Sequence, residues 1–210
     1  MKKLPVITVA LVVATLATFS PRNAMAQKFQ GQSVVTAGAG YSLAGILMGV
    51  VTDAVNATDA SSTKTPVIAG MYDFGISDRF SVGAAYTYQG LTVKYSSYTD
   101  PNGNVITGNF TDRLTRQNFG VRALFHFGDN DDLDTYAGAR FGYTMWNYSS
   151  SAPNGYDNSD ILSGFGSPIK PQALFGMRYF FTDNIGANAE FAIGPTYFML
   201  FGINARFGGN

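Results

Sequence analysis

The sequence predicts an all-β fold, an antiparallel eight-stranded transmembrane up-and-down β-barrel. Segments of about ten residues alternate between bulky apolar residues and small or polar ones, as spanning strands with two different faces do. Only 13% of the 210 residues are charged while 14% are aromatic, whereas soluble domains carry about 25% charge. No run after residue 26 is long and apolar enough for a spanning helix, and a closed barrel is the other way to satisfy every backbone group in a bilayer.

Residues 1–26 are predicted to be a secretory signal peptide, which leaves residues 27–210 as the barrel domain. Lys2 and Lys3 form a positive start, an apolar stretch follows, and Ala24-Met25-Ala26 is a small-x-small cleavage site. The alternative is an N-terminal membrane anchor, but the apolar run is shorter than the about 20 residues that a spanning helix needs. Because the chain contains no cysteine, packing and backbone hydrogen bonds alone must stabilise the exported domain.

The alternation predicts eight strands in order along the chain. They lie near residues 33–43, 66–76, 80–95, 114–127 and 135–148, in a hairpin over 172–194 that turns at Thr182-Asp183-Asn184, and near 197–207. The hairpin shows the pattern most clearly, since Phe175 and Tyr179 share one face with other apolar residues while Arg178 and Glu190 lie on the other face among small residues. We expect the apolar face to point outward to lipid and the other face to line the lumen.

The connections between these strands fall into two sets. Those at residues 77–79, 128–134 and 182–184 are short, whereas those at 44–64, 97–112 and 149–167 are long and mostly polar. Alternating short and long connections are typical of periplasmic turns and extracellular loops. The stretch from Ala44 to Val51 is apolar and leaves three alternatives, an extension of the first strand, a short helix or a plug at the barrel mouth.

Six charged side chains are predicted to point into the lumen, in the half that holds the short turns: Asp73, Arg122, Arg140, Arg178, Glu190 and Arg206. An unpaired charge there would be poorly solvated, so we expect Asp73 and Glu190 to bridge the arginines. The cluster is interpreted as a polar plug, because the interiors of eight-stranded barrels are normally filled by side chains. The alternative is a charged constriction that passes small anions.

No metal site, cofactor site or catalytic residue is expected. The acidic turn from Asp129 to Asp134 offers oxygen ligands, but it lacks the glycine and the distal glutamate of a calcium loop. His126 is the one histidine; it is predicted inside the barrel near the short turns, with no obvious serine partner, so we expect no enzyme activity. Residues 27–210 hold 11 of the 14 basic residues against 14 acidic ones, which is no signature of a nucleic-acid partner.

The segment from Arg178 to Gly186, followed by Glu190-Phe191, resembles segments of small eight-stranded outer-membrane barrels, and residues 72–80 repeat it loosely. The chain therefore resembles the OmpA-, OmpX- and OmpW-like barrels of Gram-negative bacteria, including the Bacteroidota type. The resemblance implies a monomer in the cell outer membrane, in contact with its lipids. One departure is the end of the chain, where Phe207 is followed by Gly208-Gly209-Asn210 instead of closing on an aromatic residue.

These observations predict an integral outer-membrane protein with a structural or surface-interaction role and a largely plugged polar lumen. The long connections 44–64, 97–112 and 149–167 would present a surface to an extracellular partner. A narrow channel for small solutes or anions is the first alternative. The second is a soluble periplasmic lipocalin-like carrier, which needs a polar exterior around an apolar cavity, the reverse of the observed alternation.

Overall fold

The computed structural model describes residues 29–42, 60–99, 103–127, 130–152 and 168–208. The predicted signal peptide, the stretch from Ala44 to Val51 and residues 153–167 lie outside the described residues. Among the described residues there is no helix of the length and hydropathy needed to span a bilayer.

The described residues form antiparallel strands that close on themselves. These are β1 (Ser33–Tyr41), β2 (Ser61–Lys64), β3 (Val67–Gly75), β4 (Phe80–Thr99), β5 (Val105–His126), β6 (Leu133–Ser150), β7 (Ile169–Phe180), β8 (Ile185–Ile193) and β9 (Met199–Phe207). All strands except β2 form the barrel wall, in the order β1-β3-β4-β5-β6-β7-β8-β9, and β9 pairs with β1 to close it. The prediction of an all-β, eight-stranded up-and-down barrel is confirmed.

The two faces of the barrel wall differ as the alternation predicts. In β7, Phe175 is 45% exposed while Arg178, three residues on, is 1% exposed. Large apolar side chains are exposed on every strand of the barrel wall, for example Val35, Phe74, Val82, Val121, Phe141, Phe175, Phe191 and Ile203. An exterior of this kind suits hydrocarbon rather than water, and it is the reverse of what a soluble carrier requires.

The prediction of a long loop over residues 97–112 is wrong. β4 continues to Thr99 and β5 begins at Val105, so most of this segment is a paired hairpin. Its polar residues are interspersed with Tyr95, Tyr98 and Phe110, whose rings pack together with centroids 5.1–6.3 Å apart. Such cross-strand aromatic contacts stabilise a strand pair in water.

The other two long connections are also shorter than predicted. The end of the first one forms β2, which pairs with β4 from Leu91 to Lys94, and residues 149–150 complete β6. β4, β5 and β6 contain 20, 22 and 18 residues, against nine in each of β1, β3, β8 and β9. Nine residues span about 30 Å, so β2 and residues 90–99, 105–115 and 147–150 stand above the barrel as a raised sheet.

Candidate functional site in the barrel lumen

The interior is built around Asp73 of β3, which pairs with arginines from two other strands. The Oδ1 atom of Asp73 lies 3.0 Å from Nε of Arg122, and its Oδ2 accepts a hydrogen bond from Nη2 of Arg178. Arg122 also pairs with Glu190 of β8 through an Nη2–Oε2 distance of 2.6 Å. The structure thus brings together four of the six charged residues that the sequence predicted in the lumen, and all four are buried.

Glu190 receives two further hydrogen bonds from tyrosines that the sequence analysis did not single out. Tyr136 donates from its hydroxyl at 2.7 Å, and Tyr197 donates to the other carboxylate oxygen. The ring of Tyr136 also lies 4.6 Å from the Arg178 guanidinium carbon. A buried carboxylate is stabilised only when its lone pairs are satisfied in this way, and three donors share the two oxygens of Glu190.

Small inward residues make room for these long side chains. Gly176 faces Glu190 across the β7–β8 ladder, and a Cβ atom at Gly176 would lie 2.5 Å from the Tyr136 ring. Gly83, opposite Asp73 on β4, would likewise collide with the Asp73 carboxylate if it carried a Cβ. The alternation of glycine with charge on the inward face is therefore a packing requirement of the network.

Asp134 belongs to this network, although the sequence analysis placed it in the acidic turn that begins at Asp129. β6 begins at Leu133, so Asp134 is inside the barrel and fully buried. Its Oδ2 lies 3.3 Å from Nη1 of Arg178, and its Oδ1 lies 2.7 Å from Nδ1 of His126. Asp134 lies an even number of residues before Arg140 on the same strand, so the alternation of the strand could have predicted that its side chain points inward.

The described residues contain no group of three or more His, Asp or Glu side chains arranged to hold a metal.

His126 is buried near the short turns as predicted, but the expectation that it lacks a serine partner is wrong. Oγ of Ser81 lies 2.8 Å from Nε2 of His126. The side chains of Ser81 and His126 point inward from the neighbouring strands β4 and β5. In the register of these strands, Phe80 pairs with Phe125 and Ser81 pairs with Leu124. Alternation alone places each residue on the inner face, whereas this register decides that they meet.

Two of the six predicted charges lie outside the cluster of Asp73, Arg122, Arg178 and Glu190. Arg206 is half-buried at the turn end, where it donates to the backbone carbonyls of Asp131 and Asp183 and covers the Phe180 ring at 4.2 Å. Arg140 is buried and donates to Oδ1 of Asn118 at 2.5 Å. It forms no ion pair with a carboxylate of the described residues.

Arg116 is a further buried arginine that the sequence analysis missed, although it shares the inward parity of Arg122. Its guanidinium donates to the carbonyls of Pro195 at 2.6 Å and Thr196 at 2.5 Å. It also donates to Oε1 of Gln89 at 2.8 Å. These bonds draw the β8–β9 turn over the mouth of the barrel, where Thr196 is buried.

Both ends of the lumen are therefore covered by described residues. At the upper end, Tyr197 is fully buried and its carbonyl accepts a hydrogen bond of 2.7 Å from Nε2 of Gln172. At the turn end, the ring of Phe29 stacks on His126 with centroids 4.0 Å apart. Backbone bonds of 2.9 and 2.8 Å between residues 31–32 and Gly75 hold the Phe29 segment in place.

No family model and no curated protein matches the chain. Among solved structures it is similar to the N-terminal β-barrel domain of Pseudomonas aeruginosa OprF, with 15% identity over 86% of this chain and 100% of that one and a TM-score of 0.43. It is similar to the outer-membrane protein Ail of Yersinia pestis in a nanodisc, with 15% identity over 85% and 100% of the two chains and a TM-score of 0.41.

The outer-membrane protein OprG of Pseudomonas aeruginosa is also similar, with 9% identity over 89% of this chain and 100% of that one and a TM-score of 0.49. The barrel of this chain is established by its own closed strand pairing. The protein is an eight-stranded antiparallel β-barrel with an apolar exterior.

Proposed function

We propose that this protein is a monomeric integral outer-membrane barrel with a closed polar lumen, and that its raised sheet is a surface for an extracellular partner. The observation that supports the proposal is the buried network inside the barrel, in which Asp73, Asp134 and Glu190 are each paired with arginine. The short turns at one end mark the periplasmic side, so the raised sheet stands outside the cell.

The energetics of the ion pairs favour a plug over a pore. Breaking a buried pair by removing one partner costs about 3–5 kcal/mol, because the remaining charge is left uncompensated. A conducting path along the axis would have to separate Asp73 from Arg122 and Arg178, and Glu190 from Arg122. The intact network therefore holds the lumen shut.

Among the described residues the raised sheet is a paired sheet that ends at β2, as a binding surface requires. Tyr95 donates to Oδ1 of Asp112 at 3.2 Å, and burial together with this carboxylate raises the pKa of Tyr95 to about 12, so the hydroxyl remains a donor at neutral pH. β2 pairs with β4 on one side, and all four of its residues are exposed. Strands presented in this way can accept an added strand or a side-chain surface from another protein.

Planar bilayer recording tests the closed lumen. The refolded protein is expected to give no steady conductance, because the axis is occupied by paired charges. Glu190→Ala releases Arg122, Tyr136 and Tyr197 and is expected to give intermittent openings, whereas Asp78→Ala in the exposed β3–β4 turn is the matched control and is expected to remain silent. Steady stepwise conductance of the unaltered protein would contradict the plug.

A narrow anion channel is the second candidate, and one observation favours it. Arg116 and Arg140 form no ion pair with a carboxylate of the described residues, so the interior carries an excess of positive charge. A barrel that conducted through this interior would select anions. Reversal potentials in a potassium chloride gradient distinguish the candidates, since an anion preference that is lost in Arg140→Gln would support the channel.

A further inference from the structure

Three inward side chains on adjacent strands form a continuous chain of hydrogen bonds at the turn end of the lumen. Ser81 of β4 lies with Oγ 2.8 Å from Nε2 of His126, and Asp134 of β6 lies with Oδ1 2.7 Å from Nδ1 of the same ring. An ionised carboxylate can only accept, so Nδ1 carries a hydrogen, and in the neutral imidazole Nε2 then accepts from the serine hydroxyl. A nucleophile bonded to a base that a third group orients is the arrangement that activates serine in acyl transfer.

We propose that Ser81, His126 and Asp134 form a serine nucleophile site that reacts with small acyl esters entering from the turn end when Phe29 moves aside. This inference goes beyond the plugged, partner-binding barrel and does not depend on it. The reaction would take place inside the barrel wall. Ser81 and His126 form none of the arginine–carboxylate pairs of the lumen, whereas Asp134 joins that network through Arg178.

The surroundings fix the base in the orientation that the reaction needs. Arg178 lies 3.3 Å from the second oxygen of Asp134, which helps to orient this carboxylate toward His126. The ring of Phe29 stacks on the imidazole with centroids 4.0 Å apart, and the tilted ring of Tyr136 lies 5.9 Å from it. A ring that is packed against aromatic neighbours and bonded at both nitrogens loses little further freedom when it takes a proton.

The chemical step balances with these three residues and water. Oγ of Ser81 bonds to the acyl carbon while its proton passes to Nε2 of His126, and Asp134 stabilises the imidazolium through Nδ1. The ester carbon–oxygen bond breaks and the leaving alkoxide takes the proton from Nε2. Water then bonds to the acyl carbon while its proton passes to Nε2. The bond between the acyl carbon and Oγ of Ser81 breaks, Oγ takes the proton from Nε2, and the acid is released.

Phe29 controls access to this site. Ser81 is completely buried and Phe29 is 1% exposed, so the closed structure excludes substrate. The segment that carries Phe29 belongs to no strand of the barrel, and hydrogen bonds at Gly75 hold it. Moving this segment would uncover the face of His126 on which the Phe29 ring stacks, whereas reaching the site through the wall would require separating β4 from β5.

The test is covalent labelling of the full refolded chain by a fluorophosphonate probe, which places phosphorus on an activated serine and releases fluoride. Phe29→Ala is expected to be labelled at Ser81, while the unaltered protein shows background only. Adding Ser81→Ala is expected to abolish labelling, and adding His126→Gln to slow it by about 100-fold. Ser33→Ala is the matched control, because Ser33 lies at the same end, bonded to the Tyr72 hydroxyl, and should leave labelling unchanged.

A separate measurement of access keeps the result decisive. Ser81→Cys combined with Phe29→Ala is treated with a methanethiosulfonate reagent, and heat-modifiable gel migration verifies that each variant is folded. If the introduced thiol is modified but Phe29→Ala is not phosphonylated at Ser81, the nucleophile site is overturned. An introduced thiol that stays unmodified overturns the role of Phe29. Neither outcome bears on the closed lumen, which the conductance recordings test.

Discussion

Asp73 is the residue on which the lumen network depends most. Its two carboxylate oxygens serve Arg122 on one side and Arg178 on the other, and Arg178 continues the network to Asp134. Arginine suits this position because its guanidinium presents several donors in a fixed plane and remains charged when buried. One carboxylate thus links strands that are distant in the sequence.

Removing this carboxylate should destabilise the barrel strongly. Asp73→Ala leaves Arg122 with Glu190 alone and Arg178 with Asp134 alone, and we expect the free energy of unfolding to fall by about 3–5 kcal/mol. Urea titration in lipid vesicles, followed by the fluorescence of Trp146, measures it. The control Asp78→Ala, at an exposed turn position, should change the value by less than about 0.5 kcal/mol. Equal effects of the two substitutions would refute a structural role for the pairing.

At the scale of the element, the β4–β5 hairpin differs from the other strand pairs because most of its upper half lies outside the barrel. It is stabilised there by its own side chains, with the Phe110 ring 5.5 Å from Tyr95 and 5.1 Å from Tyr98. The hydroxyl of Tyr95 and that of Ser150 both donate to Asp112, which ties β4, β5 and β6 together. The raised sheet is therefore a separate packing unit on top of the barrel.

Phe110→Ala should loosen the raised sheet without unfolding the barrel. Aromatic pairs contribute about 0.5–1.5 kcal/mol each beyond their buried area. Losing two should increase the open population, and hence protease cleavage between residues 95 and 110, by roughly tenfold. Limited proteolysis of the refolded protein measures the rate, and Val105→Ala at the hairpin tip is the control. Unchanged cleavage, or loss of heat-modifiable gel migration, would contradict the conclusion that the raised sheet packs separately from the barrel.

At the scale of the whole molecule, the exterior determines where the protein can reside. Val121 is 65% exposed in the middle of the barrel, between Ala84 and Phe141 on the neighbouring strands. Val105 is 70% exposed at the tip of the raised sheet. The two valines are equally accessible in the isolated chain, but in a membrane one would meet hydrocarbon and the other water.

This difference can be measured by placing the same charge at both positions. Val121→Arg should lower the free energy of unfolding in vesicles by about 2–4 kcal/mol, because arginine near the bilayer midplane is destabilising by that amount. Val105→Arg should be nearly neutral, because that side chain stays in water. Reversible folding titrations in lipid vesicles compare the two. A penalty of the same size at both positions would mean that the bilayer does not surround the barrel at Val121.

The sequence by itself determines which way each strand faces. Successive side chains of a strand point to opposite faces, so the local sequence gives the composition of each face. It therefore predicts that Phe175 points outward and Arg178 points inward. Closure into an eight-stranded barrel follows as well, because eight alternating segments with little charge leave few other ways to bury the backbone in a bilayer. The sequence did not predict the length of the β4–β5 hairpin. Its many polar residues indicated a loop, and the aromatic contacts that stabilise it form only after the two strands pair.

The tertiary structure alone decided which inward residues meet. Arg178 and Asp73 are 105 positions apart, and Ser81 reaches His126 only through the register of β4 against β5. Parity gives the face of each side chain but not its level along the barrel axis, which is set by the stagger of all the strands together. The paired network, the covering of both ends and the Ser81–His126–Asp134 chain are therefore properties of the closed barrel.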